Sequence, residues 1–299
     1  MSMAHIPYDG SHPLFRIGLA PLELANWIEV DGNLAGYLDE KDRLNREMPE
    51  KVFAAETGTL DAQQEVLDLI ANHVCERFPH TYQRHGKQIR IAGRGREIDL
   101  ANSGVPPLRI AASLVQEDLV LMRKGEKGWR LAAASLCFPS SWRLSEKFGL
   151  ALADVHGPVP DFGRGSRNAM MIDRIFDNLQ VELPVWRMNW SLYSDDALYH
   201  ADRSGEHIRR LGKDGRAEIS FIRVEYQTLR KLPKSGDILF TIRIHVDPLA
   251  VLDRHPDKQR IAAGFIHSLM LLDAAQLAYK GLAGARESLV SRLREIECS

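Results

Sequence analysis

The chain has 299 residues, of which 44% are hydrophobic and 26% charged, and its formal net charge is −1. That is material for one large domain or two ordinary ones around a buried core, and the balanced charge excludes a dedicated nucleic-acid binder, which concentrates basic residues on one face. No apolar run is long enough for a membrane span, and the start MSMAHIPYDGSHPLF lacks the basic segment and apolar stretch of a secretion signal. Cys75, Cys137 and Cys298 are odd in number and far apart, with no CxxC pair. This argues against a disulfide framework, a structural zinc site or an iron–sulfur cluster in the chain, and places it in a reducing cytoplasm.

In chain order, the first 55 or so residues mix Pro, Gly and charge and read as an irregular arm over the core. A helix follows, capped by Thr59, with Val66, Leu67, Ile70, Val74 and Cys75 on one face. Lys87 to about Leu100 reads as two brief strands. Leu119–Arg123 and Trp129–Phe138 are nearly continuous in apolar residues and flank KGEKG, which predicts a buried hairpin. Ser141 is placed to cap a short helix, WRLSEKF, that stops at Gly149. The prolines and glycines of DVHGPVPDFGRGS predict a shaped loop, and Ile172, Ile175, Phe176 and Leu179 mark the next helix.

Three strands with period-two alternation come next: VWRMNWSLY, ISFIRVEYQTL and DILFTIRIHVDPL. In the first, Arg187, Asn189, Ser191 and Tyr193 oppose Trp186, Met188, Trp190 and Leu192. In the second, Arg223, Glu225 and Gln227 share a face with Ile219 and Phe221. In the third, Thr241, Arg243, His245 and Asp247 oppose an apolar face. LPKSGD joins the last two as a hairpin, and the pattern after Pro248 returns to helix. The order predicts a single α+β domain over 1–299, with an N-terminal arm (about 1–55) and C-terminal helices (about 256–299).

Among eleven histidines, His156 stands in the Pro/Gly loop directly after a helix. It is either hydrogen-bonded within its own turn or a ligand for iron, which neutral imidazole suits. His245 shares its face with Arg243 and Asp247, a face that either lines a pocket or is solvated, the second being the preferred reading. His73 and His267 read as structural, and His5, His12, His80, His85, His200, His207 and His255 as surface residues. No HExxH motif supports hydrolytic zinc. Arg187, Arg223 and Arg243 alternate with apolar neighbours, so each guanidinium needs an anionic partner: a protein carboxylate such as Glu225 or Asp247, or a ligand's carboxylates. Asn189 and Tyr193 are placed to orient a small polar ligand, and Glu225, Trp190 and Tyr193 to hold a cationic amine; core packing is the other reading of Trp186 and Trp190. Cys137 is either a buried small apolar residue or a thiolate ligand. AGRGRE, around Arg94 and Arg96, lacks the strand and helix of a phosphate-binding loop.

Taken together, LFRIGLAPLELANWIEVD, VFAAETGTLDAQQEVLDL, LVQEDLVLMR, WRLAAASLCFPSSWRLSEKFG, VHGPVPDF, WRMNWSLY and RVEYQTLRKLPKSGDILFTIRIHVDPLA resemble the haem-dependent oxidative N-demethylase family, over about Leu14 to about Leu282. The resemblance implies a PAS-like fold: a five-stranded antiparallel sheet with helices on one side and extra N- and C-terminal helices. It implies a b-type haem that, with O2, demethylates dimethylamine to methylamine and formaldehyde. Electrons would come from NADPH through a separate protein carrying flavin and iron–sulfur centres, and a folate-binding component would capture the formaldehyde. By resemblance, His156 in VHGPVP is the iron ligand, with Cys137 as second candidate. Arg223 and Arg243, in the RVE and TIR segments, take propionate or pocket roles beside Arg187 and Trp190. Tyr193, Glu225 and Asn189 serve the substrate. Two other classes stand beside this one: a haem-based PAS gas or redox sensor without turnover, and a non-haem metalloenzyme using histidines and carboxylates.

Overall fold

The computed structural model describes residues 3–93, 95–201 and 220–298, so Arg94, His207 and Ile219 lie outside the described residues. The N-terminal part runs β1 (Ala20–Pro21), α1 (Leu34–Glu47), α2 (Pro49–Val52), β2 (Phe53–Ala55) and α3 (Leu60–Arg77). Three short strands, β3 (Tyr82–His85), β4 (Gln88–Ile91) and β5 (Arg96–Asp99), lead to α4 (Pro107–Ala112). The hairpin β6 (Asp118–Gly125) and β7 (Gly128–Ser135) precedes α5 (Leu144–Lys147), α6 (Leu152–Val155) and α7 (Arg167–Asn178). Then come β8 (Val185–Tyr193), β9 (Phe221–Lys231), β10 (Ile238–Pro248), α8 (Lys258–Met270), α9 (Ala274–Lys280) and α10 (Arg286–Cys298).

One seven-stranded antiparallel sheet, ordered β1-β8-β9-β10-β6-β7-β2, organises the chain, and β3-β4-β5 form a separate small sheet. Because β7 and β8 are separated by three strands, the segment between them must cross about 19 Å of sheet. That crossing carries α5, α6 and α7 over one face. On this face Val120, Met122, Leu131 and Ile242 pack with Leu144, Leu152 and Phe176. On the other face Leu119, Leu121, Tyr226 and Leu239 meet Val66, Leu67 and Ile70 of α3 and Leu108 of α4. Further along that face, Trp190, Ile222 and Val224 meet Ile261 and Phe265 of α8 and Leu289 and Leu293 of α10. Helices therefore cover both faces, where the family resemblance implies one. The reason lies in the strands: both faces of β6 are apolar, and Tyr226 and Leu239 extend the apolar area on the face that α3 and α4 cover.

The α+β order and the long strands match the sequence reading. The arm differs from it. It contains the 14-residue helix α1, whose Leu34 and Leu38 enter one core and Tyr37 and Leu44 another. Thr59 precedes α3 as expected, but its hydroxyl donates to the Glu56 carbonyl instead of capping the helix. Ser141 does not cap α5 either. It sits in the left-handed region (φ 64°), and the four-residue helix starts after Arg143. Ser166 does cap α7, accepting from the Ala169 N–H at 3.1 Å. Among the described residues no single helix is long and apolar enough to cross a membrane.

Candidate functional site

Between the sheet and the α5–α7 crossing lies a cavity of about 430 Å³, within the roughly 300–1,000 Å³ of cofactor and ligand sites. Its two halves differ. Val120, Met122, Leu131, Phe240 and Ile242 of the sheet face Leu152, Val155, Ile172 and Phe176 of the crossing, giving an apolar slot. Toward β8 and β9 the lining turns polar, with Arg187, Asn189, Ser191, Tyr193, Glu225, Gln227, Ser140, Ser141 and, from the end of α9, Lys280. Strand alternation explains the polar set: residues two apart on β8 and on β9 point to one face, and Asn189 pairs with Glu225 in register.

His156 is the C-cap of α6 and, among the described residues, the one histidine in the lining. Val159 N–H bonds to the His156 carbonyl at 2.8 Å, so the Pro/Gly turn fixes the backbone there. Burial, with the charges of Lys147 and Arg187 nearby, lowers its pKa to about 4, while a hydrogen bond with the Leu152 backbone opposes the shift. The imidazole is therefore neutral at pH 7, the form that binds iron.

Arg187 lines the same cavity, and its Nε is buried without a hydrogen-bond partner. Burial lowers its pKa and the charge of Glu225 works against that loss. A guanidinium in this state calls for an anion. Glu225 takes hydrogen bonds on Oε2 from Gln227 (2.6 Å) and Asn189 (3.4 Å). Burial pushes its carboxyl up. Hydrogen bonds with Ser140 and Asn189 and the positive charges of Lys280 and Arg223 outweigh this, holding it below the usual carboxylate range. Tyr193 bonds through its hydroxyl to Ser141 at 3.0 Å.

Lys280 is a site residue that sequence reasoning did not single out. It is buried, and Nζ donates to the Trp190 carbonyl (2.7 Å), Asn189 Oδ1 (3.1 Å) and Ser191 Oγ (3.3 Å). By occupying Oδ1 it turns the Asn189 amide N–H toward Glu225. The helix pattern of α9 was visible, but nothing local links Lys280 to a strand some 90 residues earlier.

Four expected site residues stand outside the cavity lining. Arg223 shares a strand face with Glu225, yet its guanidinium is spent on the chain itself. It donates to the carbonyls of Phe138 (2.7 Å) and Leu198 (3.0 Å) and to Ser140 Oγ (3.0 Å). Arg243 is on the opposite face, paired with Asp31 at 2.7 Å and stacked over Tyr37. Trp190 also points to that opposite face, where it packs against Phe265 (5.1 Å between centroids) and Tyr8 (6.2 Å). Cys137 is fully buried at the end of the β7 hairpin arm, and burial and the nearby Asp118 push its thiol up to about 12. Its own N–H and that of Phe138 both donate to the Asp118 carboxylate. That environment opposes the thiolate an iron ligand requires.

The predicted solvated face of β10 and the predicted surface position of His5 also need correction. His245 is buried, and its Nε2 and that of His5 both reach the Glu29 carboxylate, at 2.8 and 2.7 Å. The arm folds back over this face and covers it.

A family model described as "Haem-dependent oxidative N-demethylase, alpha subunit-like" matches residues 18–290 of the chain.

Proposed function

Since the chain belongs to the haem-dependent oxidative N-demethylase alpha subunit-like family, we propose that it binds a b-type haem in the 430 Å³ cavity and oxidatively demethylates dimethylamine. The observation that carries this reading is the place of His156, the one histidine of the lining among the described residues, in the wall of a largely apolar slot. The residues fit the group: His156 would hold its iron, the apolar slot would take its macrocycle, and Arg187 would supply a donor for a propionate. Bound haem supplies the redox chemistry with O2.

The five long strands run second-first-fifth-fourth-third across the sheet. This five-stranded antiparallel order, with short edge strands added, supports a PAS-like reading of the core. The chain's own residues do the rest. Glu225 carries the negative charge that meets a cationic amine, and Asn189, oriented by Lys280, and Tyr193 hydrogen-bond in the same polar half. The apolar half excludes water from the N-methyl carbon. Products are methylamine and formaldehyde. Electrons reach the chain from NADPH through a partner with flavin and iron–sulfur centres, and a folate-binding partner takes the formaldehyde. The alpha-subunit description fits such a division of labour, and the absence of any CxxC pair in the sequence fits it too.

The test is formaldehyde release from dimethylamine by the haem-loaded chain supplied with electrons. Release that depends on O2 supports the reading. A haem-loaded chain that binds O2 reversibly and never turns over contradicts it and favours the sensor.

A further inference from the structure

On the face of the sheet opposite the cavity, two imidazoles close on one carboxylate. His5 Nε2 lies 2.7 Å from Glu29 Oε1, and His245 Nε2 lies 2.8 Å from Glu29 Oε2. The three ligand atoms all fall within 4.8 Å of one another. They come from three distant places: the first residues of the arm, a loop 24 residues later, and β10, 216 residues beyond that.

The surroundings hold the three side chains in place. The His5 ring stacks flat on Tyr226 (interplanar 3°, centroids 5.2 Å) and meets His245 edge-on at 4.9 Å. The Glu29 backbone N–H is fixed by Glu117 Oε1 at 2.9 Å. Tyr226 is pinned through its hydroxyl to the Asn26 carbonyl at 3.0 Å. The charge balance favours a cation. Asp31 and Asp247 add two carboxylates whose fields reach His245, and Arg243 offsets one of them through its bond to Asp31.

We propose that His5, Glu29 and His245 form a binding site for a divalent transition-metal ion of the zinc type, which fastens the N-terminal arm to the sheet. Two imidazole nitrogens and one carboxylate are the borderline N/O donor set that zinc takes. Zinc bonds of about 2.0–2.2 Å put tetrahedral donors roughly 3.4 Å apart, so the ion enters by small rotations of the Glu29 side chain and the rings. Asp247, two residues from His245 on the same strand face, or a water completes the shell. The site owes nothing to the haem cavity, which lies across the sheet.

The experiment strips the full-length chain with a chelator and titrates it with zinc chloride by calorimetry. Cobalt(II) serves as a visible-absorbing substitute in a parallel titration. The expected result is one equivalent of zinc per chain and a thermal midpoint that rises with zinc concentration. His5→Ala and His245→Gln each weaken zinc by at least about 100-fold, more than the 10–100-fold cost of outer-sphere changes, and remove the cobalt bands. His5 lies on the arm, so His5→Ala keeps the fold, as circular dichroism will verify. No uptake by the stripped wild-type chain overturns the proposal, and so does equal uptake by wild type and His5→Ala. In either case the triad is held by hydrogen bonds alone. Haem content read on the same samples stays unchanged, which separates this outcome from any failure of the cavity assignment.

Discussion

Arg187 and Arg223 stand on the same face of the sheet, on neighbouring strands, and are used in opposite ways. Arg223 has its donors matched to backbone carbonyls of two connecting segments, and it ties the Phe138–Ser140 turn and the Leu198 region to β9. Arg187, also largely buried, ends in the cavity with Nε unpartnered. Burying a cation is costly unless its donors are used. A guanidinium that the chain itself satisfies is part of the scaffold; what sets Arg187 apart is that its unpartnered Nε comes with a place in the cavity wall and, among the described residues, no carboxylate bonded to it. Arg243, on the other face, also leaves Nε unpartnered, but its charge is paired with Asp31 at 2.7 Å and its guanidinium lies over Tyr37.

The largest effect should come from removing the scaffold arginine. Arg223→Met leaves the Phe138 and Leu198 carbonyls without a donor and should cost about 3 kcal/mol, read by urea denaturation, with haem lost only in proportion to unfolding. If Arg223→Met unfolds normally and fails to hold haem, the distinction between the two arginines is wrong.

The polar half of the cavity gives the next effect. Glu225→Gln should weaken dimethylamine binding by roughly 10–100-fold, the worth of a charge-assisted bond of about 1.5–3 kcal/mol. Because the folded carboxyl sits below the usual range, its charge is present at neutral pH and is lost only as pH falls through that lowered value. Amine binding by the wild-type chain should therefore hold steady through the ordinary glutamate pKa of about 4.3 and decline only below it. A decline centred above that value contradicts the assignment.

Arg187→Met sharpens the comparison from the other side. Replacing an unpaired buried cation by an apolar chain of similar volume should leave stability within about 1 kcal/mol of wild type or raise it. Haem affinity should fall about tenfold, or about 1.4 kcal/mol, as measured by haem transfer to an acceptor protein. The smallest effect is expected at the cavity roof, where Ser166→Ala removes the α7 cap for about 1 kcal/mol, without moving the visible spectrum.

Much of the fold was legible because its signals are local. Period-two alternation placed β8, β9 and β10 and assigned Arg187, Asn189 and Tyr193 to one face. The prolines and glycines around His156 marked the loop that became the cavity wall. Helix α1 was missed because Gly36 and its many charged residues dilute the stripe of Leu34, Tyr37, Leu38 and Leu44. The different fates of the arginines could not be read, since alternation tells which face a side chain takes and not what waits there. Arg223 finds carbonyls some 85 residues back in the chain, and Arg243 finds Asp31 212 residues away. The same holds for Lys280, and for His5, Glu29 and His245, which assemble only when the arm folds back over the sheet. Cys137 was legible as a buried residue, but its carboxylate neighbour Asp118 was not.

The central claim, that this cavity holds haem on His156 with the amine beside it, is tested most directly by the visible absorption spectrum of the haem-loaded chain and of His156→Ala, oxidised and reduced, with and without dimethylamine. The account predicts a Soret band that dimethylamine shifts in the wild-type chain, and in His156→Ala a band that is lost or altered in ligation. Stoichiometric haem with an unchanged spectrum in His156→Ala would contradict it.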